Sequence, residues 1–341
     1  MEIKDFICER VFKKETQKLS KAVSEHFGIT RQAAQKHIKK LVEAGVLQMS
    51  GATNAAKYTL APLVDKSISF KISTEITEDA VWREFVRPEL GEIPHNVLSI
   101  CQHGFTEMFN NVIDHSEGTS VLVRIKRTAY HVEIIVHDDG VGIFHKIRRD
   151  FGLDDERHAI LELSKGKLTS DPSKHSGEGI FFTSRMFDRF VILSGKQCFS
   201  HSVEHDDWLL DTENDEKGTL VFMEIRLNSN RTTKEVFEEY ATVDHPGFYK
   251  THIPVVLAQY GDENMISRSQ AKRVLARVEK FTEVILDFKG VAEVGQAFVD
   301  EIFRVFAQSH PEVHLFYINA NDPIEWMIRR ALASNVSGFD I

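Results

Sequence analysis

A row of polar side chains interrupts the apolar segment FTEMFNNVIDHSEG at residues 105–118. Glu107, Asn111 and His115 recur at intervals of four, which places them along one edge of an α-helix. A carboxylate can act as a general base, and an amide oxygen can bind a hard cation. Asp114 stands beside the row, and the segment contains neither lysine nor arginine. This pattern predicts one wall of a cleft rather than an ordinary solvated surface.

The row belongs to a helix that is predicted over residues 93–117, with Pro94 at its start. The buried stripe of this helix is predicted to be Val97, Cys101, Phe105, Met108 and Val112. Two strands of period two follow, VLVRIKR and YHVEIIVHDD, and the strands RFVILSG and GTLVFMEIRL come later. We expect this helix and these strands to position the polar row.

Two glycine-rich turns accompany these elements. Asp138 ends the second strand in the run DDGVGIF, where Gly140 and Gly142 permit tight backbone turns. In HSGEGIFF, Gly177 and Gly179 precede an apolar helix, whose free N–H groups form a ready site for an anion. Either turn alone is commonplace, whereas the ordered set of row, turns and strands is informative.

This ordered set resembles the GHKL superfamily of ATP-binding domains over roughly residues 95–228. The superfamily includes gyrase, heat-shock-class chaperones, histidine kinases and mismatch-repair proteins, and the histidine-kinase and anti-sigma serine-kinase branch is the most similar. The resemblance implies an α/β sandwich with the Bergerat ATP-binding fold at residues 93–230. ATP and Mg²⁺ are the cofactors it implies.

The family's motifs can be placed on individual residues. In the motif ExxxNxxxH, the resemblance implies that Glu107 is the catalytic base and that Asn111 is the Mg²⁺ ligand. Asp138 would accept the adenine amino group, and Thr219 would support the adenine site. The remaining cofactor-binding positions implied are His115, Gly140, Gly142, Ser176, Gly177 and Gly179.

The insert at about residues 144–175 would be the ATP lid of such a domain. Lys165, Lys167 and Lys174 could reach phosphates from it, although plain solvation is the simpler interpretation of each. His175 stands where the family often has a glycine, which predicts a stiffer hinge.

The first 62 residues form a basic unit. They contain eleven lysines and arginines and six aspartates and glutamates, whereas the whole chain has a formal net charge of −9. The run VSEHFGITRQAAQKHIKKLVEAGVL reads as helix, turn and helix, with Gly28 as a left-handed cap and Thr30 as an N-cap. A β-hairpin is expected to follow. The unit resembles winged helix-turn-helix domains, which implies DNA binding, although some such domains only bind proteins or dimerise.

The side chains expected to contact DNA are Arg31, Gln32, Gln35, Lys36, Lys39 and Lys40 on the second helix and Lys57 on the hairpin. Glutamine and arginine can reach base edges, and lysine can reach phosphates. Residues 63–92 are expected to be a connector and the start of the ATPase domain, with a polar linker over 63–80.

Strands and helices alternate in the C-terminal part, at residues 231–341. The run VILDFKGVAEVGQAFVDEIFRVF resembles a divergent STAS domain, the anti-anti-sigma fold. Such domains carry a phosphorylatable serine before the helix, but the turn at 294–297 has no hydroxyl group. We therefore expect docking on the ATPase domain, a partner protein or a second copy, and we do not expect Ser267 or Ser269 to be phosphorylated.

The composition fits a multidomain α+β protein of the cytoplasm. The chain has 341 residues and three scattered cysteines, which disfavours a disulfide scaffold or a zinc site. No apolar run approaches the length of about 20 residues that spans a bilayer. The leading hypothesis is a homodimeric, DNA-binding regulator controlled by Mg-ATP. A serine/threonine or histidine protein kinase acting on a separate partner and an ATP-dependent adaptor are the alternatives.

Overall fold

The computed structural model describes residues 2–51, 56–169, 176–202, 208–241, 247–259 and 265–336. The chain is a mixed α/β protein with sheets of two, five and three strands. Across these ranges, no helix combines the length and the apolar character that crossing a membrane requires.

The N-terminal unit follows the expected order of helix, turn, helix and hairpin. Its elements are α1 (Ile3–Phe12), α2 (Leu19–Phe27), α3 (Arg31–Glu43), β1 (Leu47–Ser50) and β2 (Lys57–Leu60). Gly28 ends α2 in the left-handed region with φ 64°. The Oγ1 atom of Thr30 accepts a hydrogen bond from the backbone N–H of Ala33 at 3.2 Å, so Thr30 caps α3 as expected. The sequence reading did not anticipate α1.

The N-terminal unit has its own hydrophobic core. The buried residues of this core are Phe6, Ile7, Val11, Leu19, Val23, Ala34, Ile38 and Leu47. Phe12, at the end of α1, reaches the central sheet instead, where its ring lies 5.3 Å from that of Tyr130 and 4.9 Å from that of His131.

The central sheet is entirely antiparallel, in the order β3-β4-β5-β7-β6. Its strands are β3 (Val64–Lys71), β4 (Ser120–Arg127), β5 (His131–Asp138), β6 (Arg189–Ser202) and β7 (Trp208–Arg226). The prediction of a linker over 63–80 is wrong for the start of this segment, because β3 pairs with β4 along its full length. This strand lies at the sheet edge and is largely exposed, so its polar sequence resembles that of a linker.

Helices complete the central unit. They are α4 (Glu78–Val81), a π-helical turn (Trp82–Val86), α5 (Arg87–Leu90), α6 (His95–His115), α7 (Ile143–Phe151), α8 (Glu156–Lys165) and α9 (Gly179–Met186). The stripe of α6 expected to be buried lies in the core. The segment interpreted as a lid contains α7 and α8, and every residue of α8 from Ala159 to Lys165 is buried.

The C-terminal unit packs helices against a parallel three-stranded sheet in the order β10-β9-β8. The helix α10 (Thr233–Glu239) precedes this sheet in the chain and packs against α6 and α9 of the central unit. The elements of the C-terminal unit are β8 (Lys250–Pro254), a 3₁₀ turn (Val255–Ala258), α11 (Arg268–Leu275), a second 3₁₀ turn (Val278–Lys280), β9 (Glu283–Asp287), α12 (Gln296–Asp300), a π-helical turn (Glu301–Phe306), α13 (Ala307–Ser309), β10 (His314–Ile318) and α14 (Asp322–Val336). The alternation of strands and helices expected from the sequence is confirmed, although β8 ends earlier than its apolar run.

One continuous hydrophobic core joins the central and C-terminal units. Aromatic rings carry the junction: Phe181 and Phe182 of α9 lie 4.5 Å and 4.9 Å from the ring of Phe248. Phe248 in turn lies 5.2 Å from the ring of Phe281. Such ring pairs add to the free energy of area burial by about 0.5–1.5 kcal/mol each, so the two units are firmly packed.

Candidate functional site

A cavity of about 430 Å³ lies among α6, α7, α8, the start of α9 and strand β7. Of the residues proposed from the sequence, those that line it are Glu107, Asn111, His115, Asp138, Gly142, Ser176, Gly177, Gly179 and Thr219. Gly140 is the one proposed cofactor-binding residue that does not appear among the lining residues. Its neighbour is the carbonyl of Ser116, with which an added Cβ would collide.

Asp138 lies at the end of β5 and is only 4% exposed. Its Oδ1 atom accepts hydrogen bonds from the backbone N–H groups of Gly140 at 2.8 Å and Thr219 at 3.3 Å. Burial raises the pKa of this carboxyl group above its usual range, and the two backbone donors oppose that shift. A fixed, buried carboxylate is suited to accept a hydrogen bond from a ligand that enters the cavity.

Thr219 connects two of the sequence motifs. Its backbone N–H donates to Asp138, and its Oγ1 atom accepts from the backbone N–H of Ile143 at 3.0 Å. Gly218 precedes it with φ 75°, and a Cβ at that position would overlap the carbonyl group of Asp138. The start of α7 and the end of β5 are therefore both held by this part of β7.

Glu107, Asn111 and His115 are half-buried along the edge of α6, as expected. A Cβ at Gly179 would collide with the carboxylate of Glu107, which therefore packs directly on the first residue of α9. Asp114 is exposed at the rim and also lines the cavity.

The second glycine turn packs against the chain just beyond α8. Gly177 has φ 71°, and a Cβ there would lie about 2.5 Å from the backbone of Leu168. The backbone N–H of Leu168 donates to the carbonyl oxygen of Gly177 at 3.2 Å. Lys174 and His175 lie outside the described residues.

Both interpretations of Lys165 are wrong, and Lys167, which is half-buried, has a partner that the sequence did not predict. Lys165 is 1% exposed and its Nζ atom binds Glu162 at 2.6 Å, so this lysine reaches neither solvent nor the cavity. Lys167 donates to the carbonyl oxygen of Lys280 at 3.0 Å. Both lysines contact the C-terminal unit, because the segment that carries them packs against it.

Lys146 of α7 lines the cavity, although it was not among the site residues predicted from the sequence. Its Nζ atom lies 2.8 Å from Glu117 and 3.3 Å from Asp150. Hydrogen bonds from Arg149 and from Lys146 lower the pKa of Glu117 to about 2. The signal in the sequence was the spacing of four between Lys146 and Asp150, which is typical of a helical ion pair.

The charges of the cavity match a cation-bound anionic ligand. The carboxylates that line it are those of Glu107, Asp114, Asp138 and Asp150. Lys146 is the one lysine or arginine among the described lining residues. Phosphate groups would be repelled by this set without a hard cation, and the carboxylate and amide oxygens are ligands that Mg²⁺ accepts. The residues present therefore fit a magnesium-bound phosphate ligand.

The outer face of α3 is exposed and polar. The side chains on this face, together with Lys57 of β2, are those proposed for DNA contact: Arg31, Gln32, Gln35, Lys36, Lys39 and Lys40. Lys39 also lies 3.5 Å from Glu43, and its charge is partly compensated there. Ala34 and Ile38 are buried beneath the face, so the helix presents its basic side outward.

The C-terminal unit supports a family assignment for part of the chain. Residues 270–325 match the family model of a STAS-like domain of unknown function (DUF4325). The STAS-like interpretation of the C-terminal part is thereby confirmed. A comparison of the whole chain with curated proteins gives no match.

The turn at residues 294–297 lies within this match and leads into α12. Gly295 precedes α12, and its backbone N–H donates to the carbonyl oxygen of Met265 at 2.7 Å. Ser267 caps α11 by accepting from the backbone N–H of Gln270 at 3.2 Å. The hydroxyl group of Ser267 therefore has a structural role at the start of that helix.

Proposed function

We propose that the chain is an ATP-binding regulator of the GHKL type, which holds Mg-ATP in the cavity and binds DNA through α3 and the β1–β2 hairpin. The supporting observation is convergence. Motifs spread from Glu107 to Thr219 in sequence line one cavity, and the buried carboxylate of Asp138 joins two of them through backbone hydrogen bonds.

The residues suggest a division of tasks within the cavity. Asp138 would accept the adenine amino group, and Asn111 would offer its side-chain oxygen to Mg²⁺. The phosphates would lie toward Ser176, Gly177 and the N-terminus of α9, where backbone N–H groups and the helix dipole favour negative charge. Mg²⁺ would supply the counter-charge that the cavity lacks.

Isothermal titration with Mg-ATP tests this assignment. We expect a dissociation constant in the micromolar to millimolar range that requires the divalent cation. Absence of binding at millimolar ATP, by a protein whose circular dichroism shows that it is folded, would refute the proposal.

The alternative function, a protein kinase that acts on a separate partner, depends on Glu107. Its carboxylate lies at the start of α9, where it could accept a proton from water or from a substrate hydroxyl group. Labelled ATP distinguishes the two reactions, because label on a protein indicates a kinase and release of phosphate alone indicates an ATPase. Glu107→Ala should retain nucleotide and lose about a hundredfold or more of turnover. Unchanged turnover would remove Glu107 from the mechanism.

DNA binding is tested by a gel-shift series at increasing salt. The basic face of α3 predicts an affinity that falls steeply with salt, since counterions are released from the DNA. No shift at low salt would favour a protein-binding adaptor.

Paired winged helices commonly read two half-sites, so we propose a homodimer as the DNA-binding form, and sedimentation would test its presence. The STAS-like unit is the surface we propose for a protein partner.

A further inference from the structure

The cavity wall formed by the end of α8 and the residues after it rests on the C-terminal unit. Leu163, Leu168 and Thr169 line the cavity, and the backbone of Leu168 is paired with that of Gly177. The chain between these positions carries two lysines whose side chains bind the C-terminal unit instead of the cavity. Their contacts determine where this wall can lie.

Lys165 makes three short contacts although it is almost completely buried. Its Nζ atom donates to Glu162 at 2.6 Å and to the carbonyl oxygens of Arg273 and Ala276, each at 2.9 Å. Burial lowers the pKa of Lys165 to about 8, so the ammonium form predominates at neutral pH. Its three N–H groups match the three acceptors, and the two carbonyl groups belong to the C-terminal end of α11, where a cation is favoured.

Besides Lys165, Glu162 contacts a second cation, Arg277, which belongs to the C-terminal unit. It is 2% exposed, and one oxygen lies 2.9 Å from the Nε atom of Arg277. Burial alone would raise the pKa of Glu162, but His158, Lys165 and Arg277 together lower it. The hydroxyl group of Thr251 in β8 donates to the backbone carbonyl oxygen of Lys165 at 2.7 Å. Removing one partner from such a buried network is costly, because the others are left uncompensated.

Lys167 lies among three aromatic rings of the C-terminal unit. Its Nζ atom is 5.5 Å from the ring centroid of Phe248, 4.7 Å from that of Tyr249 and 4.8 Å from that of Phe281. The same atom donates to the carbonyl oxygen of Lys280 at 3.0 Å. Its backbone has φ 53°, which is uncommon for a residue with a side chain. The aromatic contacts and the hydrogen bond hold the chain in this conformation, directly before Leu168.

We propose that these contacts couple the cavity to the C-terminal unit, so that nucleotide binding and the docking of this unit stabilise each other. The residues of this clamp are Glu162, Lys165, Lys167, Thr251 and Arg277. The identity of the ligand in this inference rests on the proposed function. The residues that transmit the coupling are inferred from the contacts themselves. Coupling of two binding equilibria is reciprocal, so either side reports it.

Two mild variants test the clamp. Lys167→Met removes the cation and keeps an apolar chain among the rings, and Thr251→Val removes only the hydroxyl group that bonds Lys165. Lys272→Met is the matched control, because this lysine is on α11 and its side chain is 70% exposed. The measurements are the dissociation constant for Mg-ATP and hydrogen exchange at residues 163–169, 176–180 and 268–281, with and without the nucleotide.

The expected result is a loss of affinity of about fivefold or more in both clamp variants, within the usual range of coupling. Exchange at 163–169 should accelerate in both variants without nucleotide, and Mg-ATP should slow exchange at 268–281 in the wild type. Affinity within twofold of wild type in both variants, or no response at 268–281, would overturn the coupling and leave the proposed function intact. If the folded wild type binds no ATP, the proposed function fails and ATP is excluded as the coupled ligand. In that case, faster exchange at 163–169 would still demonstrate the support of the wall, and unchanged exchange would refute it.

Discussion

Replacing Asp138 by Asn removes the charge of the buried carboxylate while keeping its shape. The remaining carbonyl oxygen can still accept from the backbone N–H groups of Gly140 and Thr219, so we expect the fold to tolerate the change. The second oxygen becomes an amide NH₂ group. It would then face the amino group of adenine, donor against donor, where the carboxylate had offered an acceptor.

The size of the effect follows from the burial of this group. A hydrogen bond to a charged partner contributes about 1.5–3 kcal/mol, and an unmatched donor costs a similar amount again. Since each 1.4 kcal/mol corresponds to about a factor of ten in affinity, the dissociation constant should rise by at least about tenfold to a hundredfold. A weak millimolar complex would become undetectable by titration calorimetry.

The neighbouring Asp139 provides the control. It is an acidic residue in the same turn, but its Oδ1 atom accepts from the backbone N–H groups of Thr119 and Ser120, at 2.7 Å and 2.8 Å, and it is not a lining residue. Asp139→Asn should therefore leave the affinity for Mg-ATP within twofold of wild type. Equal affinity of Asp138→Asn and wild type, with thermal unfolding showing both to be folded, would refute the assignment of the adenine site.

Three further predictions concern two glycines, the pH dependence of ATP binding and the basic face of α3. In Gly179→Ala the new methyl group meets only the flexible carboxylate of Glu107, so the variant should fold normally and show altered turnover. In Gly218→Ala it meets the backbone of Asp138 at a positive φ, so the unfolding temperature should fall. Equal unfolding temperatures of the two variants would contradict this difference. Because burial raises the pKa of Asp138, acidification should weaken ATP binding at pH values above the ordinary carboxyl pKa of 3.8, and titration calorimetry over a descending pH series should show the decline begin at a higher pH than a normal aspartate would give. Lys36→Ala should weaken DNA binding at all sequences and reduce the salt slope by about one, while Lys66→Ala, outside α3, should change neither.

Sequence patterns within short segments predicted several elements of the structure. The caps at Gly28 and Thr30 depend on neighbouring residues, and both are present where the sequence predicted them. The polar row of α6 was also predictable, because a period of four residues is visible within one helix. The convergence of distant motifs on one cavity was anticipated through the resemblance to a known family and not through spacing.

Contacts between distant segments were not predictable. Lys165 and Lys167 looked like surface lysines, since their partners are carbonyl groups and rings about a hundred positions later in the chain. The strand β3 looked like a linker, because an edge strand exposed on most positions lacks the alternation that marks a half-buried one. Gly140 was assigned to a ligand, but its missing side chain makes room for the carbonyl of Ser116.

The contact between Glu107 and the first residue of α9 has a consequence for the order of events in the cavity. The positive end of the α9 dipole already has the carboxylate of Glu107 beside it, so a phosphate bound there, as we propose, would bring two negative groups together. The carboxylate would have to move aside, or Mg²⁺ would have to lie between the two groups, before the phosphate could bind.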